Sequence, residues 1–318
     1  MKLRHLLFQV TILVLLLVLV NVVVQRLSAN SVARQLLRKC EQVDSVTDVF
    51  LGNSTMAAGL DEAMFGAARP GRGALNAALG SSSPVEHYVI FCKLPDHKAA
   101  RVYYGFFDTQ LTDPPDGDWA TLVGNRAMTY YVDRELAFRF YASDDPLKAL
   151  RLSLVSRVPM LVERYAIWAK VERLRRVLDE VGLPKKETDR FGRKEDFALL
   201  ESEDEGQFAK RCGQAAACSV PLTAPVAALL RRGTTEGVRV YVVEMPMPTS
   251  HRARFYSSPS WAIYRAHLIA LVREAGSVYV PAAEWIGDDG FADPLHLNPA
   301  GAKAFSSRLA QWAADPAS

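Results

Sequence analysis

The chain is poor in cysteine, in net charge and in cofactor motifs. Four cysteines in 318 residues are too few to staple a disulfide scaffold. Lys and Arg number 38 against 35 Asp and Glu, leaving a net charge of +3. That balance lends no support to a nucleic-acid binder working through a strongly basic surface. No Walker loop and no dinucleotide glycine fingerprint occurs, so nothing points to a nucleotide cofactor. No His, Cys and carboxylate grouping has metal-site spacing, and Asp288-Asp289 is a bare acidic pair. There is no internal repeat and no low-complexity tract. What is present is 49% apolar and 23% charged, the composition of a folded globular chain. The length suits one large domain, or one domain with a substantial insertion.

Residues 6–24 stand apart from the body. Sixteen of these nineteen are Leu, Ile, Val or Phe and none is charged. They favour a bilayer by roughly 5–10 kcal/mol, and nineteen residues reach about 28 Å, enough to cross the hydrocarbon. The run exceeds an ordinary signal-peptide core, and Leu27 is a poor residue three before a cleavage after Ala29. We therefore expect residues 1–29 to form a short tail and an uncleaved signal anchor, and 30–318 to form the body. Counting Lys2 and Arg4 against Arg26, Arg34, Arg38 and Lys39 places the body inside the cell. A short tail followed by a long domain places it outside. We take the second reading, in keeping with the chemistry below. Cys212 and Cys218 are spaced to close a small loop in an oxidising compartment, or are two unpaired thiols; Cys40 and Cys92 read as unpaired.

The body alternates strand and helix signals. Residues 30–43 read as a helical stalk, Val46–Leu51 as a strand stopped by Gly52, and Val85–Lys93 as helix or strand. Ala100–Phe107 and Val238–Met245 read as strands, Ser258–Glu274 as a helix, Ser277–Val280 as a short strand, and Pro299–Ala313 as a terminal helix capped by Asn298. This order predicts an α/β fold with a parallel sheet covered on both faces. About 113–235 is far longer than a crossover needs and reads as a helical insertion. Within it, 146–182 has helical periodicity and many bases, either a face for lipid headgroups or a solvated surface. Residues 185–211 are charge-dense and read as loop.

Two blocks carry chemistry. In Val49-Phe-Leu-Gly-Asn-Ser-Thr-Met-Ala-Ala-Gly59, a strand ends at Gly52 and Ser54 follows where a helix can begin. That junction lies on the carboxyl edge of a parallel sheet, where ligands bind and backbone N–H groups can face an oxyanion. Alone it is also an ordinary turn and cap. In Asp289-Gly-Phe-Ala-Asp-Pro-Leu-His-Leu-Asn-Pro-Ala-Gly301, Asp293 can hold one nitrogen of His296 and leave the other to face a hydroxyl. Alone this pair could merely brace the last helix.

Together the blocks resemble the SGNH/GDSL hydrolase superfamily, whose first block supplies a nucleophilic serine and whose last supplies Asp-x-x-His. The resemblance implies a flavodoxin-like three-layer sheet. It also implies acyl-ester chemistry with Ser54 as nucleophile, His296 as base and Asp293 as its orienting acid. The inner blocks depart from the pattern. Gly80, in Leu75-Asn-Ala-Ala-Leu-Gly80, is the candidate second oxyanion donor beside the Ser54 N–H. Phe107 stands where the third block has asparagine, and Asn125 is a substitute donor from the insertion. His251, Arg252 and Asp108, with Arg254 and Gln110, sit on carboxyl-edge loops as candidate substrate contacts.

The single anchor is similar to membrane-tethered superfamily members that move or remove acyl groups on envelope polymers. The expectation is an extracytoplasmic serine esterase or O-acyltransferase acting on glycan esters. It needs no cofactor or metal and takes no nucleic acid, and an envelope protein complex is a possible partner. The alternatives are a catalytically silent glycan-binding or scaffold protein of such a complex, and a cytoplasm-facing enzyme.

Overall fold

The computed structural model describes residues 2–113 apart from 30, 46, 70, 72 and 97; then 133–141, 145–155, 157–163, 167, 170, 171 and 204–314. The chain divides into two compact units. One comprises 1–38 with 116–185, and the other 39–115 with 186–318.

The first unit holds α1 (Lys2–Ser28), most of α2 (Val32–Glu41), α6 (Arg134–Tyr141), α7 (Pro146–Val155) and α8 (Pro159–Val162). Among the described residues, α1 is the one helix long and apolar enough to cross a membrane. Its side chains from Leu3 to Val20 are exposed, and burial begins at Asn21 and Val24. There the Met160 N–H donates to Asn21 Oδ1 at 3.0 Å. Farther along, Arg34 pairs with Glu163 at 2.6 Å.

The second unit is a five-stranded, all-parallel sheet in the order β2-β1-β3-β4-β5. Its strands are β1 (Thr47–Leu51), β2 (Gly73–Asn76), β3 (Ala99–Phe106), β4 (Arg239–Glu244) and β5 (Val278–Pro281). β1 is buried throughout, as a strand covered on both faces must be, so its sequence reads as an apolar run rather than an alternation. One face packs on α3 (Ser54–Gly59), α4 (Glu62–Ala67) and α13 (Pro299–Ala314). On that face Phe50, Tyr103 and Tyr241 are register partners on adjacent strands. They stack at 4.7 and 5.0 Å between centroids, with planes 11° apart. Such aromatic neighbours stabilise a sheet beyond the area they bury. The other face carries α5 (Pro84–Cys92), α10 (Ala224–Thr235) and α12 (Pro259–Glu274), with α9 (Glu205–Ala217) against α12. One more short helix, α11 (Thr249–His251), runs into a π-helical turn at Arg252–Tyr256.

Several boundaries differ from expectation. Residues 113–235 are not one insertion: α9 and α10 belong to the sheet unit, and α10 is the crossover helix ahead of β4. The charge-dense stretch is helical from Glu205, where the Asp204 carboxylate caps α9 by accepting from the Gln207 N–H; its part before 204 lies outside the described residues. Of the basic segment 146–182, α7 and α8 are helical, and most of the remainder lies outside the described residues. The ambiguous 85–93 run is helical because Pro84 starts it and Ser83 with Glu86 forms a capping box. None of the four cysteines forms a disulfide. Cys212 is buried within α9 and Cys218 is the exposed residue capping it. Burial pushes the Cys40 thiol up to about 12.

Candidate active site

β1 delivers the serine. Gly52 ends the strand at φ +148°, and a Cβ there would lie 2.9 Å from both the Gly105 carbonyl oxygen and Met56 Cβ. Only glycine therefore lets β1 turn so close to β3. Asn53 then caps α3: its Oδ1 accepts from the Thr55 N–H at 3.0 Å and the Thr55 hydroxyl at 2.8 Å. Ser54 follows as the first helical residue, half-buried.

The C-terminal block delivers the histidine by a folded-back turn. Phe291 and Leu297 form an antiparallel bridge, and the Ala292 N–H donates to the His296 carbonyl at 2.8 Å. Asn298 ties both ends. Its Nδ2 donates to the Asp289 carbonyl at 2.7 Å, and its Oδ1 accepts from the Gly301 N–H at 2.9 Å. Gly301 sits against Gly290 so closely that a Cβ would lie 2.0 Å from the Gly290 carbonyl oxygen. Gly301→Ala must push α13 away from this turn. We expect it to cost about 3 kcal/mol or more, read as a lowered unfolding temperature of the full chain in detergent. Gly80→Ala is the contrast, because its nearest neighbour is Ser54 Cβ at 3.8 Å and stability should barely change.

The structure brings Ser54, His296 and Asp293 together. His296 Nε2 is 2.8 Å from Ser54 Oγ, across 242 residues of sequence. His296 Nδ1 is 2.7 Å from Asp293 Oδ2 and 2.9 Å from Oδ1. Burial alone would raise the Asp293 carboxyl. Its hydrogen bond with the His296 ring, the N–H groups of Leu295 and His296, and attraction to the ring outweigh that and hold it below its ordinary value of 3.8. An ionised carboxylate only accepts hydrogen bonds. Nδ1 therefore donates to Asp293, and Nε2 is left to accept the Ser54 proton.

Gly80 lies beside Ser54 because the chain after β2 keeps following β1. The Ala77 N–H donates to the Phe50 carbonyl at 2.8 Å and the Leu79 N–H to the Gly52 carbonyl at 3.0 Å. A chain of hydrogen bonds running from the half-buried Ser82 into the core holds the next turn: Ser82 Oγ is 2.8 Å from His87 Nε2, and His87 Nδ1 is 3.0 Å from Tyr104 Oη. The sequence offers no sign of His87, whose partners lie 5 and 17 residues away on other elements.

The remaining candidates lie elsewhere on the same edge. Asp108 adopts φ +52°. Its Oδ1 accepts from Tyr256 Oη at 2.8 Å and lies 3.0 Å from His251 Nε2. His251 is buried, so it braces Asp108 instead of presenting a ring to solvent. The N–H groups here are already engaged, Phe107 with Gln110 Oε1 at 3.3 Å and Asp108 with Tyr256 Oη at 3.1 Å. Arg254 pairs with Glu205 at 3.0 Å. Arg252 donates to the Met247 carbonyl at 3.0 Å and lines a cavity of about 620 Å3 with Glu244, Arg265, Tyr256, Trp261 and Glu284. Arg265 grips the buried Glu244 through two nitrogens at 3.0 and 2.8 Å. Burial raises the Glu244 carboxyl despite that partner. Asn125 lies outside the described residues. No family model and no curated protein matches this chain.

Proposed function

We propose that the protein is a membrane-anchored serine esterase or O-acyltransferase of the SGNH/GDSL type. Its body is extracytoplasmic, and it acts on acyl esters of envelope or extracellular glycans. The 2.8 Å contact between Ser54 Oγ and His296 Nε2, with Asp293 behind the imidazole, carries this reading. Ser54 attacks the acyl carbonyl as His296 takes its proton, and Asp293 stabilises the resulting imidazolium. The N–H groups of Ser54 and Gly80 hold the tetrahedral oxyanion. His296 returns the proton to the departing oxygen, leaving an acyl-Ser54 that water or an acceptor hydroxyl resolves. None of Ser54, Gly80, Asp293 and His296 lines the cavity beside Arg252, so the acyl carbonyl is placed by the triad and its N–H groups and not by that cavity. The five-stranded parallel sheet with helices on both faces supports a flavodoxin-like assignment of the fold.

A second reading, a catalytically silent glycan-binding or scaffold protein, draws on Phe107. An apolar ring stands at the third donor position, and its N–H is already bound by Gln110. Serine-directed fluorophosphonate labelling of the full chain, with the modified peptide mapped, separates the two. The enzyme acquires one adduct, on Ser54, and loses it in Ser54→Ala. Binding of glycan with no adduct on Ser54 would overturn the enzymatic reading.

A further inference from the structure

We propose that α7 lies in the membrane interface as a second point of attachment, with its leucines among lipid chains and its arginines at anionic headgroups. The helix is turned opposite to an ordinary amphipathic surface helix. Leu152 is buried at 1% exposure, whereas Leu147, Leu150 and Leu154 are 67, 58 and 58% exposed. Spacings of three and four residues put those three leucines on one stripe. Leu152 is then about 160–200° around the axis from Leu150 and Leu154. Arg151 beside the stripe and Arg157 just past the helix are both exposed; PLKALRLSLV itself contains no acid, the exposed Asp145 standing before it as its cap. Leucines outward with arginines beside and beyond them at the C-terminal end is the pattern of a helix lying on anionic lipid.

This placement rests on the reading of α1 as the membrane anchor, because α1 belongs to the same compact unit. α8 meets α1 at Asn21, where the exposed apolar run of α1 gives way to burial. Five Cα-to-Cα steps separate Val155 at the end of α7 from Met160 in α8, at most about 18 Å. The stripe is therefore tethered near the margin of the span, on whichever side of the membrane the body lies. Continuity with the anchor favours lipid over a protein partner.

The test uses the full chain in vesicles of phosphatidylcholine and phosphatidylglycerol, with benzoylphenylalanine placed singly at Leu150 or Leu154. Val14, inside α1, reports the span. Irradiation is expected to give lipid adducts at 150 and 154 comparable to those at Val14. Serine at Leu147 and Leu154 should abolish the adduct at 150 and leave that at Val14 intact. Adducts at 150 and 154 to protein alone, a second copy included, would overturn the proposal. So would no adduct at either position while Val14 is labelled, or a lipid adduct at 150 that survives the two serines. These side chains are exposed, so the substitutions leave the packing of the unit alone; unchanged circular dichroism checks this.

Discussion

Ser54→Ala is expected to lower ester turnover by on the order of 10⁶-fold, with His296→Ala as damaging and the double variant no worse than either. The non-additivity is the informative part. Ser54 Oγ and His296 Nε2 share one proton across 2.8 Å, so removing either abolishes the same step. What survives both is the binding of substrate and polarisation of its carbonyl by backbone N–H groups, on the order of 10³–10⁴-fold over water. A serine that merely capped α3 would behave otherwise. Asn53 already performs that capping through Thr55, so losing the Ser54 hydroxyl should leave the unfolding temperature almost unchanged. Equal turnover in wild type and Ser54→Ala, on an ester the wild type cleaves, would end the proposed mechanism. A large fall in stability would instead show Ser54 to be a structural residue.

The two ends of this site are legible in the sequence because each is a continuous block whose geometry is local. Gly52-Asn53-Ser54 turns a strand into a helix through contacts within three residues, and Asp293 reaches His296 across one turn. Their convergence is not local. It follows from β1 lying inside the sheet with α3 and α13 packed on the same face, where the Ser306 hydroxyl also accepts from the Asp61 N–H at 2.8 Å. The parallel sheet is legible for a related reason, since β1, β3 and β4 each carry a buried run free of charged residues, Val49–Leu51, Val102–Phe106 and Val240–Val243. β2 is not. Gly-Ala-Leu-Asn is short, carries no β-branched residue and keeps only Leu75 buried, so its pairing with β1 leaves almost no trace in composition. The Asp108–His251–Tyr256 cluster is invisible in the same way. It joins residues 143 and 148 positions apart, and each of them alone looks like a polar loop residue. The outward leucines of α7 are a different failure: periodicity gives the faces of a helix but not which face the rest of the unit covers.

Asp293→Asn is expected to lower kcat on the order of 10⁴-fold at neutral pH while preserving the fold, and the reason is visible in which oxygen does what. Asp293 Oδ1 accepts from the N–H groups of Leu295 and His296, both at 2.8 Å. An asparagine keeps those bonds only by placing its own oxygen there. Its amide nitrogen then takes the place of Oδ2, 2.7 Å from His296 Nδ1. An N–H facing Nδ1 forces the ring proton onto Nε2, which can then no longer accept from Ser54. The pH dependence carries the opposite sign to that of a group with a raised pKa. The Asp293 carboxyl is held below 3.8 by His296 and two backbone N–H groups against the opposing effect of burial. Its contribution to folding is therefore complete at and above the ordinary carboxylate range, and is lost as the pH falls through the depressed value. The stability gap between wild type and Asp293→Asn should be flat across the neutral range and close only below about pH 3.8. Denaturant titrations of both proteins at a series of pH values measure it. A gap that instead closes on going from acid to neutral would mean that the Asp293 carboxyl is raised in the fold, and that its ionised form is not what holds His296 in place.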